Sequence, residues 1–326
     1  MRILVGGGAG YLGSALVPYL VERGYEVDVI DLMWFGNHLP ESVRAIRSDL
    51  FKCTQEDLEG YEQIIFLAGL SNDPMAEFEP SMNFVFNAAL PSYLAFIAKK
   101  AGVKRFIYAS SCSVYGYTVN ELYDEDSPVT CGYPYGISKL QGERGVLQLQ
   151  DKDFSVIALR KGTVSGFSPR MRLDLIVNAM FRSAMVEGQI TVNNPSIWRP
   201  VLDIRDAASA YLRAIQADYA VNGVYNVASG NFTVGQVGDM VKYEIEKLAG
   251  KRIDIKLKNI QDFRNYKVAI DRAQTYLGFR PRHTVEDIVQ DLFENRGGFE
   301  DYDNDEFYNI KTFKKLLERD RRKMAV

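Results

Sequence analysis

Ile3-Leu4-Val5-Gly6-Gly7-Gly8-Ala9-Gly10-Tyr11-Leu12-Gly13 is a short apolar run that breaks into five glycines within eight residues. A stretch with helical character, Ser14 to Arg23, follows it. Strand, glycine turn and helix in this order set Gly7, Gly10 and Gly13 in a G-x-x-G-x-x-G spacing. Glycines there let the backbone turn tightly and approach a pyrophosphate, which the free N–H groups and dipole of a helix N-terminus attract. Tyr11 and Leu12 fall inside the same turn. The next apolar run, Glu26 to Ile30, ends at Asp31, the spacing expected of a dinucleotide fold. A carboxylate there accepts hydrogen bonds from the adenosine ribose hydroxyls and repels a 2′-phosphate, so the expected cofactor is NAD, not NADP.

The alternation continues outward from this unit. Val43 to Arg47 reads as a third strand closing on Ser48-Asp49-Leu50, and Gln63 to Leu67 as a fourth closing on Ala68-Gly69. Phe84 to Ala101 reads as a helix, Lys104 to Ser110 as a fifth strand and Phe154 to Arg160 as a sixth. Strands alternating with helices indicate an α/β fold with a doubly wound parallel sheet of the Rossmann type, its ligands at the carboxyl ends of the strands. Asp49, Ala68, Gly69 and Ser110 all stand at such ends. Further on, Val237, Val241, Ile245 and Leu248 form one apolar stripe of a helix over Val234 to Ala249. That stripe reads as the core of a smaller, mixed α/β substrate domain.

A length of 326 residues, 47% hydrophobic and 25% charged, suits an ordinary globular protein with one large or two modest domains. A net charge of −3 gives no reason to expect nucleic acid as a partner. Cys53, Cys112 and Cys131 are odd in number and widely spaced, which points to reduced thiols and a cytoplasmic location. His38 and His283 are the whole histidine supply, so a histidine triad or metal site has little to build on, and no metal is expected. Ile3 to Val21 carries no charge, but its glycines and Pro18 fit strand, turn and buried helix better than a membrane span, so no membrane partner is expected.

Pro134-Tyr135-Gly136-Ile137-Ser138-Lys139-Leu140 carries the chemistry. On a helix Tyr135 and Lys139 emerge on one face. A free phenol titrates near 10 and is a poor base at neutral pH. An ammonium one turn away, and a cationic nicotinamide, both stabilise the phenolate. Ser110-Ser111-Cys112-Ser113-Val114-Tyr115-Gly116, at the end of the fifth strand, places a hydroxyl opposite Tyr135.

The glycine loop, Asp31, the Ser110–Gly116 stretch and Tyr135-x-x-x-Lys139 occur in one order at suitable distances. Together they resemble the extended short-chain dehydrogenase/reductases, in particular the nucleotide-sugar epimerase/dehydratase family, over Met1 to about Phe279. The resemblance implies Ser111, Tyr135 and Lys139 as catalytic residues. It implies Asp49 and Leu50 beside the adenine, Leu67, Ala68 and Gly69 against the cofactor, and Asn87 as support for the active-site geometry. It also implies a discontinuous division, with residues 1–166 and 200–229 binding NAD and residues 167–199 and 230–326 binding substrate. A homodimer built on the helices near 84–101 and 135–150 is implied in the same way. The chain departs from the family at Gly6, where Thr is frequent, and at Cys112-Ser113, where the 4,6-dehydratases carry an Asp-Glu pair. Water elimination needs that acid and base, so dehydration is not expected.

Ser168-Pro169-Arg170-Met171-Arg172-Leu173-Asp174-Leu175-Ile176-Val177-Asn178 resembles a signature of epimerases acting at C4 of nucleotide-linked sugars. Two arginines, Arg170 and Arg172, together with Asn178 near the start of a helix suit a diphosphate and sugar hydroxyls. Arg199 and Arg264 resemble arginines used on the substrate pyrophosphate, and Ser113 is a further substrate candidate. Trp198 is a candidate for stacking on a base or for burial. The expected activity is NAD-dependent C4 epimerisation of a nucleotide-diphosphate sugar through a 4-keto intermediate. A 4-dehydrogenase or 4-keto reductase uses the same residues, and a non-catalytic NAD-binding regulator is the other alternative. In the tail, Phe307, Ile310, Phe313 and Leu317 form an apolar stripe expected to cover a flank of the substrate domain, beside a basic run ending in Arg319, Arg321, Arg322 and Lys323.

Overall fold

The computed structural model describes residues 1–259 and 264–324; the side chains of Val119 and Asn120 and those from Arg319 onward lie outside the described residues. The first half runs β1 (Arg2–Gly6), α1 (Tyr11–Val21), β2 (Glu26–Asp31), β3 (Arg44–Arg47), β4 (Gln63–Phe66), α2 (Asp73–Phe78), α3 (Pro80–Phe84), α4 (Leu90–Lys100), β5 (Arg105–Ser111), β6 (Tyr117–Tyr123), α5 (Pro134–Leu147) and β7 (Ser155–Lys161). The second half runs β8 (Thr163–Ser165), α6 (Ile176–Glu187), β9 (Gln189–Asn193), β10 (Trp198–Asp203), α7 (Ile204–Gln216), β11 (Gly223–Val227), β12 (Gly230–Thr233), α8 (Val234–Ala249), β13 (Asp254–Lys258), β14 (Asn265–Val268), α9 (Val285–Glu294) and α10 (Asn309–Met324).

Seven strands form one sheet in the order β11-β7-β5-β4-β1-β2-β3, every neighbouring pair parallel. The chain winds outward from β1 to β3, then returns to β4 and winds the other way. The crevice at the carboxyl ends of β1 and β4 is therefore the switch point where such folds take ligands. Both faces of the sheet are covered, which explains why β4 and β5 are buried along their whole length. On one face Leu16, Val17 and Leu20 of α1 meet Ala207, Tyr211 and Ala214 of α7. On the other, Leu90 and Leu94 of α4 meet Val146 of α5. β11 pairs with β7, so residues beyond 200 do return to this sheet, as the resemblance implied. A second core joins Val177 and Phe181 of α6, Val237, Val241 and Ile245 of α8, and Ile288 and Leu292 of α9. Thr233 and Gln236 close a reciprocal capping box at the start of α8, fixing the helix where its apolar stripe begins.

Ile3 to Val21 is strand, glycine turn and helix. The stretch Pro80–Lys100 is long and apolar enough to cross a membrane, but Asn83, Asn87, Leu90, Leu94 and Ala98 on it are buried within the protein. It is also less regular than a continuous helix over Phe84 to Ala101. Val85–Ala89 forms a π turn between α3 and α4. Pro91 has no N–H to donate to the carbonyl of Asn87, four residues earlier. The Tyr108 hydroxyl donates to that carbonyl instead, at 2.9 Å.

The tail departs from expectation. Phe307 and Tyr308 do pack on the second core. Phe313, however, is buried with Leu70 and Met75, and Ile310 and Leu317 pack there with Trp34 and Phe86. α10 thus lies over the loops at the switch point and not over the flank of the second core. The apolar stripe was legible; its destination depends on Trp34, whose place only the fold reveals.

Candidate active site

A cavity of about 700 Å³ opens at the switch point. Its floor is the glycine turn. Gly7 has φ +80°, and a Cβ there would lie 2.4 Å from the Ala68 nitrogen. At Gly13 an added Cβ would meet the Gly8 carbonyl oxygen at 2.3 Å, so glycine is what lets α1 begin directly on the turn. Gly10 is different: its nearest neighbour would be 3.5 Å away, so the missing side chain leaves free space facing the cavity. Asp31 accepts from the Ala9 nitrogen at 3.0 Å and the Met33 nitrogen at 2.7 Å. Burial raises its pKa, and both hydrogen bonds oppose that shift. Asp49 caps a short turn by accepting from the Phe51 nitrogen. With Tyr11, Leu12, Leu50, Leu67, Ala68 and Gly69, these residues line one continuous wall. A backbone cradle at a helix N-terminus, an acid at the end of β2 and an apolar slot beyond it fit a dinucleotide.

The opposite wall is built by β5 and α5. β5 ends in Ser110 and Ser111, and the Ser111 hydroxyl donates to Ser113 Oγ at 3.1 Å in the same cavity as Tyr135. Pro134 opens α5 with a preset φ. Gly136 follows because a Cβ there would sit 2.7 Å from the Ser113 carbonyl, so the helix reaches the serine turn only at glycine. Gly142 does the same against the Asn87 carbonyl, at 2.1 Å. Behind the serines, Arg160 grips Glu143 through two hydrogen bonds of 2.6 and 3.0 Å, and Glu143 accepts from Ser110 Oγ at 2.6 Å. This buried, fully engaged pair joins β5, α5 and β7.

Burial dominates the electrostatics of both members of the Tyr135–Lys139 pair. Burial pushes Tyr135 above its ordinary value and the nearby Asp73 charge adds to this, while the Ser111 hydroxyl and Arg172 pull it back. Burial holds Lys139 down to about 7, its Nζ donating to the Ala109 carbonyl at 3.0 Å. An amine so close to neutral stabilises a phenolate less than a full ammonium does.

Every cofactor and substrate candidate lines the cavity except Asn87, Asn178 and Trp198. Asn87 lies behind it. Its Nδ2 donates to Leu70, Asn83 and Ser138, and a Cβ on Gly69 would come within 2.1 Å of its Oδ1. Asn178 is fully buried and used up in the fold: Oδ1 accepts from Gly166, and Nδ2 donates to the Arg172 carbonyl at 2.8 Å and the Tyr11 hydroxyl at 3.2 Å. It shapes the loop that presents Arg172 and makes no contact with the cavity. Arg172 is paired with Asp174 at 2.8 Å and donates to Ser71. Arg199 donates to the Trp198 carbonyl, and Arg264 is paired with Asp73. Ser113 faces Tyr266, with 3.4 Å between hydroxyls. Trp198 lies under Lys267, away from the cavity lining.

Several lining residues escaped the sequence reading. Lys161, held to the Ser110 carbonyl at 3.0 Å, ends β7 beside Lys139 and was open to the same strand-end rule that flagged Ser110. Asp73 opens α2, Asp174 comes from a loop and Tyr266 from the short strand β14, and no local pattern ties them to the site. Asn309 arrives from the tail, donating to Ser71 at 2.8 Å and accepting from Arg170 at 2.6 Å.

Residues 3–228, most of the chain, match the model of the NAD dependent epimerase/dehydratase family. Among curated relatives, the chain is 27% identical to UDP-glucose 4-epimerase 3 of Oryza sativa subsp. japonica, covering 89% of this chain and 88% of that one. It is 26% identical to the UDP-glucose 4-epimerase of Bacillus subtilis, covering 89% and 95%. Among solved structures, MoeE5 in complex with UDP-glucuronic acid and NAD superposes with a TM-score of 0.80 at 26% identity, covering 91% of this chain and all of that one. MoeE5 with UDP-glucose and NAD gives 0.79. The glycine cradle, Asp31 and the Ser111–Tyr135–Lys139 group thus stand within a match that spans the whole cofactor sheet, and the chain belongs to the NAD dependent epimerase/dehydratase family.

Proposed function

We propose that this protein is an NAD-dependent epimerase acting at C4 of a nucleotide-diphosphate sugar. The observation that carries the reading is the meeting of Ser111, Tyr135 and Lys139 with the glycine cradle in one cavity. Relatives along most of the chain are UDP-glucose 4-epimerases, which supports C4 as the position.

NAD, when bound, supplies the two-electron acceptor that takes up and returns the C4 hydrogen, and its positive ring favours the Tyr135 phenolate. Tyr135 accepts the proton of the 4-hydroxyl and later returns it to the 4-keto oxygen. Ser111 hydrogen-bonds the same oxygen and keeps it within reach of Tyr135. Lys139, on the same wall as Tyr135, donates to the cofactor ribose and adds positive charge near the phenol. Arg172, Arg199 and Arg264, which line the same cavity, suit the substrate diphosphate, and Ser113 suits a sugar hydroxyl. Asp31 takes the adenosine ribose hydroxyls, with Gly10 leaving room for the cofactor diphosphate. The absence of an acid–base pair at Cys112-Ser113 favours this reading over dehydration.

The same reading assigns NAD binding to residues 1–166 and 200–229 and substrate binding to residues 167–199 and 230–326. We infer a cytoplasmic homodimer, with Val85 of the π turn and Phe96 of α4 offering exposed apolar side chains; light scattering at micromolar concentration tests the dimer.

The deciding experiment is a nucleotide-sugar panel incubated with enzyme and NAD, resolved by chromatography and mass, with NADH absorbance followed. A new peak of unchanged mass without net NADH establishes epimerisation and names the substrate. Loss of two hydrogens with stoichiometric NADH makes the protein a dehydrogenase and removes the epimerase reading.

A further inference from the structure

The site holds a carboxylate that the chemistry above does not use. Asp73 opens α2, held by its neighbour Asn72, whose Oδ1 caps the helix at the Met75 nitrogen. α2 lies against α5, and Asp73 lines the same cavity as Ser111 and Tyr135. One oxygen, Oδ2, is ion-paired with Arg264, whose guanidinium stands 5.8 Å from the Tyr133 ring at the start of α5. The other, Oδ1, is buried and has no hydrogen-bond partner among the described residues. Such an oxygen keeps the full cost of its lost water until a donor arrives.

Resting on the nucleotide-sugar reading, we propose that Asp73 determines sugar specificity: it admits a ring bearing hydroxyl or amino groups and rejects one bearing a carboxylate. It lines one cavity with Ser111, Ser113, Tyr135 and Tyr266, the place where Tyr135 must hold the sugar, and its charge adds to the upward shift of both phenols. The cations nearby already have partners: Arg264 is paired with Asp73 itself, and Arg199 donates to the backbone carbonyls of Trp198 and Arg264. Arg172 spends Nε and Nη2 on Asp174 and Nη1 on Ser71. Arg170 is taken by Asn309, and Lys139 and Lys161 by the carbonyls of Ala109 and Ser110. A uronic acid would therefore bring a second negative charge beside Asp73 in a dry site, where like charges repel strongly. A hydroxyl or ammonium would instead give Oδ1 its missing donor. The family does not decide this point by itself, since MoeE5 is solved with both UDP-glucuronic acid and UDP-glucose.

The test is calorimetric titration of the NAD-loaded protein with UDP-glucose and with UDP-glucuronic acid. The wild-type protein should bind UDP-glucose at least about tenfold more tightly. Asp73→Asn should erase most of that ratio, mainly by tightening glucuronic acid binding. Arg264→Met, which strips the carboxylate of its cation, should widen the ratio, any effect on diphosphate binding being common to both ligands. Equal binding, or tighter binding of UDP-glucuronic acid, by the wild-type protein overturns the proposal while leaving the nucleotide-sugar reading intact. So does an unchanged ratio in a folded Asp73→Asn protein. Failure of both ligands to bind the NAD-loaded protein removes the nucleotide-sugar reading on UDP carriers and this inference with it.

Discussion

Lys139 Nζ rests on the carbonyl oxygen of Ala109 at 3.0 Å, and burial brings its pKa down to about 7. An unfolded chain holds this lysine near its ordinary value of about 10.4, so it binds more protons than the folded chain between those two values. The penalty for burying the amine is therefore fully present below about pH 7 and fades as pH rises toward 10. Lys161, also driven down by burial, adds a slope of the same sign. Lys139→Met should raise the Tm of the cofactor-free protein at pH 7 and flatten its rise with pH, by at most about 1.4 kcal/mol per pH unit. Thermal melts between pH 7 and pH 9 measure this, and a mutant slope as steep as the wild type's contradicts it.

Tyr135→Phe keeps the ring and removes the proton-transfer oxygen. Turnover should fall by about 10²–10⁴-fold. NAD affinity should stay within a few-fold of wild type, since the glycine cradle and Asp31 lie on the other wall. Cofactor titration beside the sugar assay separates the two, and retained turnover takes Tyr135 out of its role.

The Pro91–Tyr108 arrangement makes a stability prediction with an internal control. Tyr108→Phe leaves the buried Asn87 carbonyl without its hydroxyl donor, at a cost of about 1–3 kcal/mol. Pro91→Ala restores an N–H four residues after Asn87, so the double variant should lose less than Tyr108→Phe alone. Urea unfolding of the four proteins gives the coupling, and strict additivity would show that the π turn does not arise from the proline.

These cases mark how far the sequence could be read. The glycine spacing and Asp31 are local patterns with strong physical causes, so the parallel sheet and the glycine-turn wall of the cavity could be read from them. The Tyr135–Lys139 pair and Ser111 were legible through the family resemblance. Asp73 and Asn309 were not, since nothing in their neighbours distinguishes an active-site carboxylate or amide from a surface one. Asn178 was misplaced for a related reason. A signature marks that a residue matters, but whether the amide faces ligand or holds its own loop depends on Tyr11 and Gly166, distant in the chain. The charge state of Lys139 was equally hidden, because burial and not spacing sets it.

α10 supplies a prediction about the tail. Phe313 is fully buried, 5.7 Å from Trp34 and 6.2 Å from Phe78 by ring centroids. Phe313→Ala should cost about 3–5 kcal/mol of the docking that holds the tail over the cavity mouth. Trp34 and Trp198 are the two tryptophans in the chain. In a Trp198→Phe background the substitution should therefore shift Trp34 emission to longer wavelength. An unmoved spectrum would place α10 elsewhere in solution.

Gly10 and Gly13 stand three residues apart in one turn, yet they should answer alanine in opposite ways. At Gly13 a Cβ would lie 2.3 Å from the Gly8 carbonyl, too close without moving backbone, so Gly13→Ala should destabilise the fold itself. At Gly10 the backbone has φ −77° and ψ −177°, which alanine adopts without strain, and the nearest atom is 3.5 Å away. Gly10→Ala should therefore melt within about 0.5 kcal/mol of wild type. Its methyl group, however, fills the space through which a diphosphate approaches the start of α1, so NAD affinity should fall at least about tenfold. Melting curves and NAD titrations on the two variants decide it. Equal loss of stability in both would mean that the glycines serve only the turn, and unchanged NAD affinity in Gly10→Ala would move the diphosphate away from this helix.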